Sequence, residues 1–218
     1  MSPTGARPQP APEGHREALR DALSRSAPEV AAQLLGWRLR STTADGTVCV
    51  VLTEVEAYAG AADPASHAFR GRTSRNSIMF GEAGHLYVYF SYGMHWCANV
   101  VCGPPSEAAA VLLRAGRVVE GADLASLRRE GGQRSPLPHR QLARGPACLT
   151  QALGIDASCS GVDLLSEGSP SLTPPDVAPQ GVSCGPRVGV SLAADLPWRY
   201  WLTGDETVSA YKRSPRAS

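Results

Sequence analysis

Residues 52–76, LTEVEAYAGAADPASHAFRGRTSRN, bring Glu54, Glu56, Tyr58, Asp63 and His67 close together in the chain. Carboxylates, a phenol and an imidazole at such spacing could activate water by general base catalysis. They could also bind a hard divalent ion such as Mg²⁺ or Mn²⁺ through Glu54, Glu56, Asp63 and His67, although that spacing is not a specific metal signature. Period-two alternation sets Glu54, Glu56 and Tyr58 on one face of a strand. The earlier part of that strand, VCVVL, is apolar on both faces and reads as buried, so the carboxylates are carried toward the interior. The plainer alternative is a pair of surface acids at a strand end, salt-bridged to arginines.

A second stretch, LYVYFSYGMHW at 86–96, holds five of the thirteen aromatic residues. In a regular strand Tyr87 and Tyr89 share one face, and Leu86, Val88 and Phe90 take the other as core. A two-residue turn at Gly93-Met94 would pair Val88 with Asn99, whereas a three- or five-residue turn pairs Tyr87 with Asn99 and brings the amide onto the tyrosine face. Tyr92 falls at or beside the hairpin tip. A large amphipathic side chain there has little core to fill and needs a partner.

The elements that must hold these groups form one domain. At 218 residues and 43% hydrophobic content the chain suits a single sizeable core. Residues 1–15, rich in proline, read as a disordered tail, 16–211 as the domain, and 212–218 as a flexible C-terminal tail. SAPEVAAQLLG predicts a helix with a Ser26/Glu29 capping box, Pro28 in its first turn and Gly36 as its stop. Trp37–Ser41 and Thr47–Val55 flank a hairpin turn in which Asp45-Gly46 would supply the positive φ angles. Further strands fit 86–91, 95–101 and 109–114, helices fit 120–129 and 145–153, and RVGVSLA and WRYWLTG read as two closing strands. There is no internal repeat and no regular strand-helix alternation. The expected class is therefore α+β: a mixed domain around a curved antiparallel β-sheet, with flanking helices and a protruding β-hairpin.

Composition narrows the function. No apolar run reaches membrane-spanning length and no signal peptide pattern opens the chain, so a cytoplasmic protein is expected, at the nucleoid if bacterial. Six cysteines include no C-x-x-C pair, which argues for reduced thiols over a zinc or redox motif. Residues 67–144 carry ten Arg against five acids, while each flank comes to −2. A basic middle with interleaved aromatics suits nucleic acid, although scattered arginines also make an ordinary solvated face.

Taken together, TEVEAY, DPASHAFRGRTSRNSIMF, GHLYVYFSYGMHWCANVV, AAAVLLRA, RGPACLTQALGI and RVGVSLA with PWRYWLTG resemble, in order, the alkyladenine (3-methyladenine) DNA glycosylases of the mammalian type. The likeness spans roughly residues 28–209, and several long motifs in register are more specific than any one of them. It implies a repair hydrolase acting on double-stranded DNA that contains alkylated purines, as a monomer, with no cofactor and no metal; because the only lysine, Lys212, lies in the polar C-terminal tail beyond the last motif, a monofunctional enzyme that uses water and not an amine is expected. On the matching positions, Glu56 is the general base and Arg114 lies near the water and a phosphate. Tyr58, His67 and Tyr89 sandwich the flipped base, Asn99 crowds the guanine 2-amino group, and Tyr92 is the wedge. Arg70, Arg72 and Arg75 are candidate DNA backbone contacts. Two other classes stay open: a damage-binding module that does not cleave, and a metal-dependent nuclease using the acidic cluster.

Overall fold

The computed structural model describes residues 13–91, 93–130 and 137–217. The chain opens with two helices, α1 (Glu13–Leu23) and α2 (Ala27–Leu34). α1 begins inside the segment read from sequence as tail. α2 is the expected helix, with Ser26 and Glu29 closing a capping box and Pro in its first turn. It buries Ala27, Val30, Ala31 and Leu34, and its larger side chains each contribute about 1.5–3 kcal/mol when fully buried.

Then follow β1 (Arg38–Thr43) and β2 (Gly46–Ala59), β3 (Leu86–Ser91), β4 (His95–Cys102) and β5 (Ala109–Glu120), α3 (Ala122–Glu130), α4 (Pro146–Leu153), and the short strands β6 (Ser171–Thr173), β7 (Val182–Gly185) and β8 (Arg199–Leu202). The strands form one antiparallel sheet in the order β3-β4-β5-β2-β1-β6, with β8 joining β2 to β7. The α+β class read from the sequence is the observed one.

β2 organises this sheet. Along one edge it pairs with β5 over nearly its whole length. Along the other, residues 46–51 pair with β1 and residues 54–56 with β8. The change of partner coincides with register shifts on either side of Glu54, where β5 contributes Arg114 as an extra residue. Beyond β2 the chain turns at Gly60, whose φ of +56° and approach of a built Cβ to the Glu107 carbonyl at 2.3 Å exclude a larger residue.

One sheet face packs on α2 and α4 to make the main core, including Leu52, Leu86, Val88, Val100, Leu113 and Leu149. The other face carries a smaller cluster of Ala68, Met79, Tyr87, Val101, Ala108 and Ala110. Strand parity thus divides β3 as expected, except at Phe90. That ring is 44% exposed against Trp96 at 4.7 Å, because the hairpin end projects past the core.

Other expectations need correction. In the β1–β2 turn the positive φ belongs to Gly46 alone, at +133°, and not to Asp45. RVGVSLA, residues 187–193, is no strand but an irregular loop; the strand beside β8 is instead β7, just upstream. Arg187 at the start of the loop turns to a buried ion pair, and residues 188–192 line a cleft. Residues 212–217 are not detached from the domain, since Gly189 N–H donates to the Lys212 carbonyl at 3.0 Å.

Candidate active site

On the smaller-core side of the sheet opens a cleft of about 770 Å³. Glu56, Tyr58, His67, Tyr89, Asn99 and Arg114 all line it, as does Arg75. Arg70 and Arg72 are exposed but stand outside the lining, Arg72 lying over the Phe80 ring. Tyr92 lies outside the described residues. The connection from Ser91 to His95 is three residues long and pairs Tyr87 with Asn99, so the amide does reach the tyrosine face. Asn99 then donates its Nδ2 hydrogen to the Tyr87 carbonyl at 3.1 Å, which fixes the amide.

Both strand acids are fully buried, so they are not surface charges, although arginines do pair with them. Glu54 accepts four hydrogen bonds: Arg114 Nε at 2.7 Å, Arg199 Nε at 2.7 Å, Ser209 Oγ at 2.8 Å and Ser209 N at 2.6 Å. Glu56 accepts the Tyr58 hydroxyl at 2.9 Å and the Val188 N–H at 2.7 Å, with Arg114 Nη1 at 3.3 Å completing its contacts. A carboxylate offers about four acceptor positions. Three of the donors to Glu54 share Oε1 and one reaches Oε2, and Glu54 is not among the residues that line the cleft; Glu56 does line it, and its Oε2 accepts only the Tyr58 hydroxyl. Arg114 lies between the two acids because the bulge inserts it there.

Asp63 is engaged elsewhere. Buried Arg187 grips it with two nitrogens at 2.5 and 2.9 Å, and also donates to the Ala57 carbonyl at 3.0 Å. The guanidinium sits over Tyr58 at 4.7 Å and over Trp198 at 5.2 Å, backing the Tyr58 ring. Among the described residues no three His, Cys, Asp or Glu side chains gather as a metal site. Of the four residues considered as a metal set, Glu54 and Glu56 share Arg114, Asp63 binds Arg187, and His67 Nδ1 meets the Tyr87 hydroxyl at 3.4 Å.

Around the cleft the aromatics interlock. His67 meets Tyr89 edge-on at 4.4 Å, and Tyr87 stacks on Tyr89 at 5.6 Å. Arg75 lies over Tyr89 at 5.4 Å and donates to the Phe90 carbonyl at 3.0 Å. Although His67 as a residue is exposed, desolvation of its ring in the cleft wall, and then the Arg75 charge, hold the imidazole below its ordinary value, so the neutral ring is favoured. Burial and the neighbouring Glu56 charge push the Tyr58 phenol well up, which keeps it a donor. Glu54 is held below the usual carboxylate range: desolvation is the largest influence and opposes this, but Arg114, Ser209 and Arg199 together outweigh it.

Sequence reasoning missed Val188, Arg199 and Ser209 as parts of this site, and Tyr87 as the ring behind Tyr89. Arg199 stood within WRYWLTG, a motif noticed for other reasons. Ser209 lies in a segment with no periodicity and carried no signal. Lys212, which its place in the polar C-terminal tail sets apart from the pocket in the sequence, lines a second cleft of about 420 Å³ that shares Val188 and Gly189 with the first.

These features define an enzyme-like cleft, with a buried carboxylate beneath a ring of aromatics and a basic margin. Residues 21–206 match the sequence profile of the methylpurine-DNA glycosylase family. A relative from Leifsonia xyli subsp. xyli is 54% identical over 200 residues, covering 90% of this chain and 93% of its own. One from Streptomyces avermitilis is 48% identical over 202 residues, with the same coverage. One from Nocardia farcinica is 51% identical over 197 residues, covering 87% and 89%. All three bear the provisional name 3-methyladenine DNA glycosylase. The chain belongs to the methylpurine-DNA glycosylase family.

Proposed function

We propose that the cleft receives an alkylated purine, such as 3-methyladenine or 7-methylguanine, flipped out of double-stranded DNA, and that Glu56 activates a water to cut its N-glycosidic bond. The observation that carries this reading is that buried Glu56, its Oε2 bonded only to the Tyr58 hydroxyl, lines the cleft together with Tyr58, His67 and Tyr89, whereas Glu54 does not line it. Water attacks the sugar C1′ and gives its proton to Glu56, while the electron pair of the glycosidic bond passes to the base. N3- and N7-alkylated purines are cationic, so the departing base becomes neutral as it accepts that pair and needs no strong acid.

The rings suit such a substrate. Their π faces attract an electron-poor base, at about 1–3 kcal/mol per stacked base. Neutral His67 adds a face without adding a charge. Asn99, fixed on Tyr87, sits where a 2-amino group would meet it. Three buried carboxylates, Glu54, Glu56 and Asp63, match three buried guanidiniums, Arg114, Arg187 and Arg199. A cationic base thus enters a charge-balanced site, and its charge passes to the sugar beside Glu56 during cleavage.

Tyr92 at the hairpin would fill the gap left by the flipped nucleotide, offsetting an unstacking cost of a few kcal/mol. Arg70, Arg72 and Arg75 would hold the backbone. Water, not an amine, is the nucleophile in this reading, so the product is an intact abasic strand. Incubation with alkylated duplex DNA in EDTA tests it. Free base released without a nick, and no borohydride-trapped protein–DNA adduct, is the expected outcome. Binding without release would favour the damage-binding module, and cleavage of the strand only after adding metal would favour the nuclease.

A further inference from the structure

The stretch after β8 belongs to no helix or strand, and residues 207–213 lie past the end of the family match. It nevertheless runs along the back of the cleft and is bonded there repeatedly. Thr207 Oγ1 meets Thr53 Oγ1 at 2.7 Å, and the Val208 carbonyl accepts from Arg144 Nε at 2.9 Å. Ser209 binds Glu54 through both its N–H and its hydroxyl. Lys212 then accepts from Gly189 N–H, and Arg213 binds Asp195 at 2.6 Å.

We propose that residues 207–213 are a positioning strap that fixes the Glu56 carboxylate from two sides. This rests on the reading of Glu56 as the base. On the first side Ser209 holds Glu54, Glu54 orients Arg114 through Nε, and Arg114 reaches Glu56 through Nη1. Arg114 Nη2 also donates to Ser209 Oγ at 3.3 Å. On the second side the strap grips the irregular loop whose Val188 N–H donates to Glu56. That loop has no strand pairing of its own. Its inner end is anchored by Arg187 on Asp63, and its outer part by the Lys212 carbonyl on Gly189 and by Arg213 on Asp195. Gly189, at φ +72°, lets the backbone turn its N–H to the strap while the preceding N–H faces the acid.

The strap acts through other groups and touches no reacting atom, so its effect is on alignment. A misplacement of about 1 Å in a reacting group can cost roughly 100-fold in rate. Deleting residues 212–218 should speed amide hydrogen exchange at Val188 and Gly189 above that of the core strands. It should also lower single-turnover base release at saturating enzyme about tenfold or more. Saturation separates this from the weaker DNA affinity that follows the loss of Lys212, Arg213 and Arg216. In the full chain Ser209→Ala should slow release several-fold and Ser209→Thr, which keeps the hydroxyl, should restore it.

Unchanged exchange at Val188 and Gly189 with a saturating rate within twofold of the full chain overturns the strap. So does a rate loss that vanishes on cooling in step with global stability. If the shortened chain does not fold, the full-length double variant Ser209→Ala, Arg213→Ala is judged on the same two readouts. Exchange requires no activity, so it tests the strap even if the intact protein releases no base, a result that would count against the proposed chemistry alone.

Discussion

The corner of β2 around Glu54 and the corner around Glu56 are built from the same kinds of residue and lie one strand repeat apart. Glu54 takes two guanidiniums and the Ser209 hydroxyl on Oε1 and the Ser209 N–H on Oε2, and it is not among the residues that line the cleft. Glu56 is held by a phenol, a backbone N–H and the far nitrogen of Arg114, and it lines the cleft. Two buried acids can thus do different work according to whether they reach open space. A carboxylate enclosed by guanidiniums neutralises them and fixes strand geometry, whereas one that borders an open cleft can take a proton from water.

The largest expected effect divides the two corners. Glu56→Gln preserves shape and removes the base, so single-turnover release should fall by about 10²–10⁴-fold. Affinity for alkylated duplex, read by fluorescence anisotropy, should remain near that of the unchanged protein. Near-normal release would end the assignment of Glu56.

Glu54→Gln should do the reverse. It leaves Arg114 and Arg199 buried without their counter-charge, at a cost of about 3–5 kcal/mol. For a chain of this size that corresponds to a melting temperature lowered by roughly 6–20 °C. At a temperature where the variant stays folded, release should fall far less than in Glu56→Gln. A stable Glu54→Gln variant without activity would mean that the roles of the two acids are exchanged.

Much of this comparison was legible in the sequence, but only to the level of the strand. Alternation in TEVEAY placed Glu54, Glu56 and Tyr58 together, and the apolar run before them announced burial. Parity in LYVYFSY separated Tyr87 and Tyr89 from Leu86 and Val88. What remained hidden depends on geometry that short-range pattern does not encode. Whether Asn99 joined the tyrosines turned on the length of one turn. The bulge that inserts Arg114 between the acids has no sequence mark, since period two merely skips a residue there. V-G-V-S-L at 188–192 alternates like a strand yet is a loop, because its contacts are to Glu56 and to the segment after β8 and not to a neighbouring strand. Ser209 is a single serine in a polar stretch, and its role appears only when the chain folds back onto Glu54.

The smallest effect concerns the charge on the rim, and Glu56→Gln makes it measurable because that variant should bind without turning over. His67 is held below its ordinary value of 6.5 by desolvation and by Arg75. A lowered imidazole keeps its neutral form as pH falls through 6.5 and gains its proton only below that. Once charged, it would stand against a cationic purine and repel it. Affinity of Glu56→Gln for duplex carrying an N3-alkylated adenine, divided by its affinity for undamaged duplex, should therefore be level from pH 8 to 6.5 and decline only at lower pH. The division removes any pH effect that the two duplexes share. In the double variant with His67→Gln the ratio should stay level throughout. A decline centred at or above pH 6.5, or one that survives His67→Gln, would show that the imidazole does not face the bound base, and would leave Tyr58 and Tyr89 as the stacking pair.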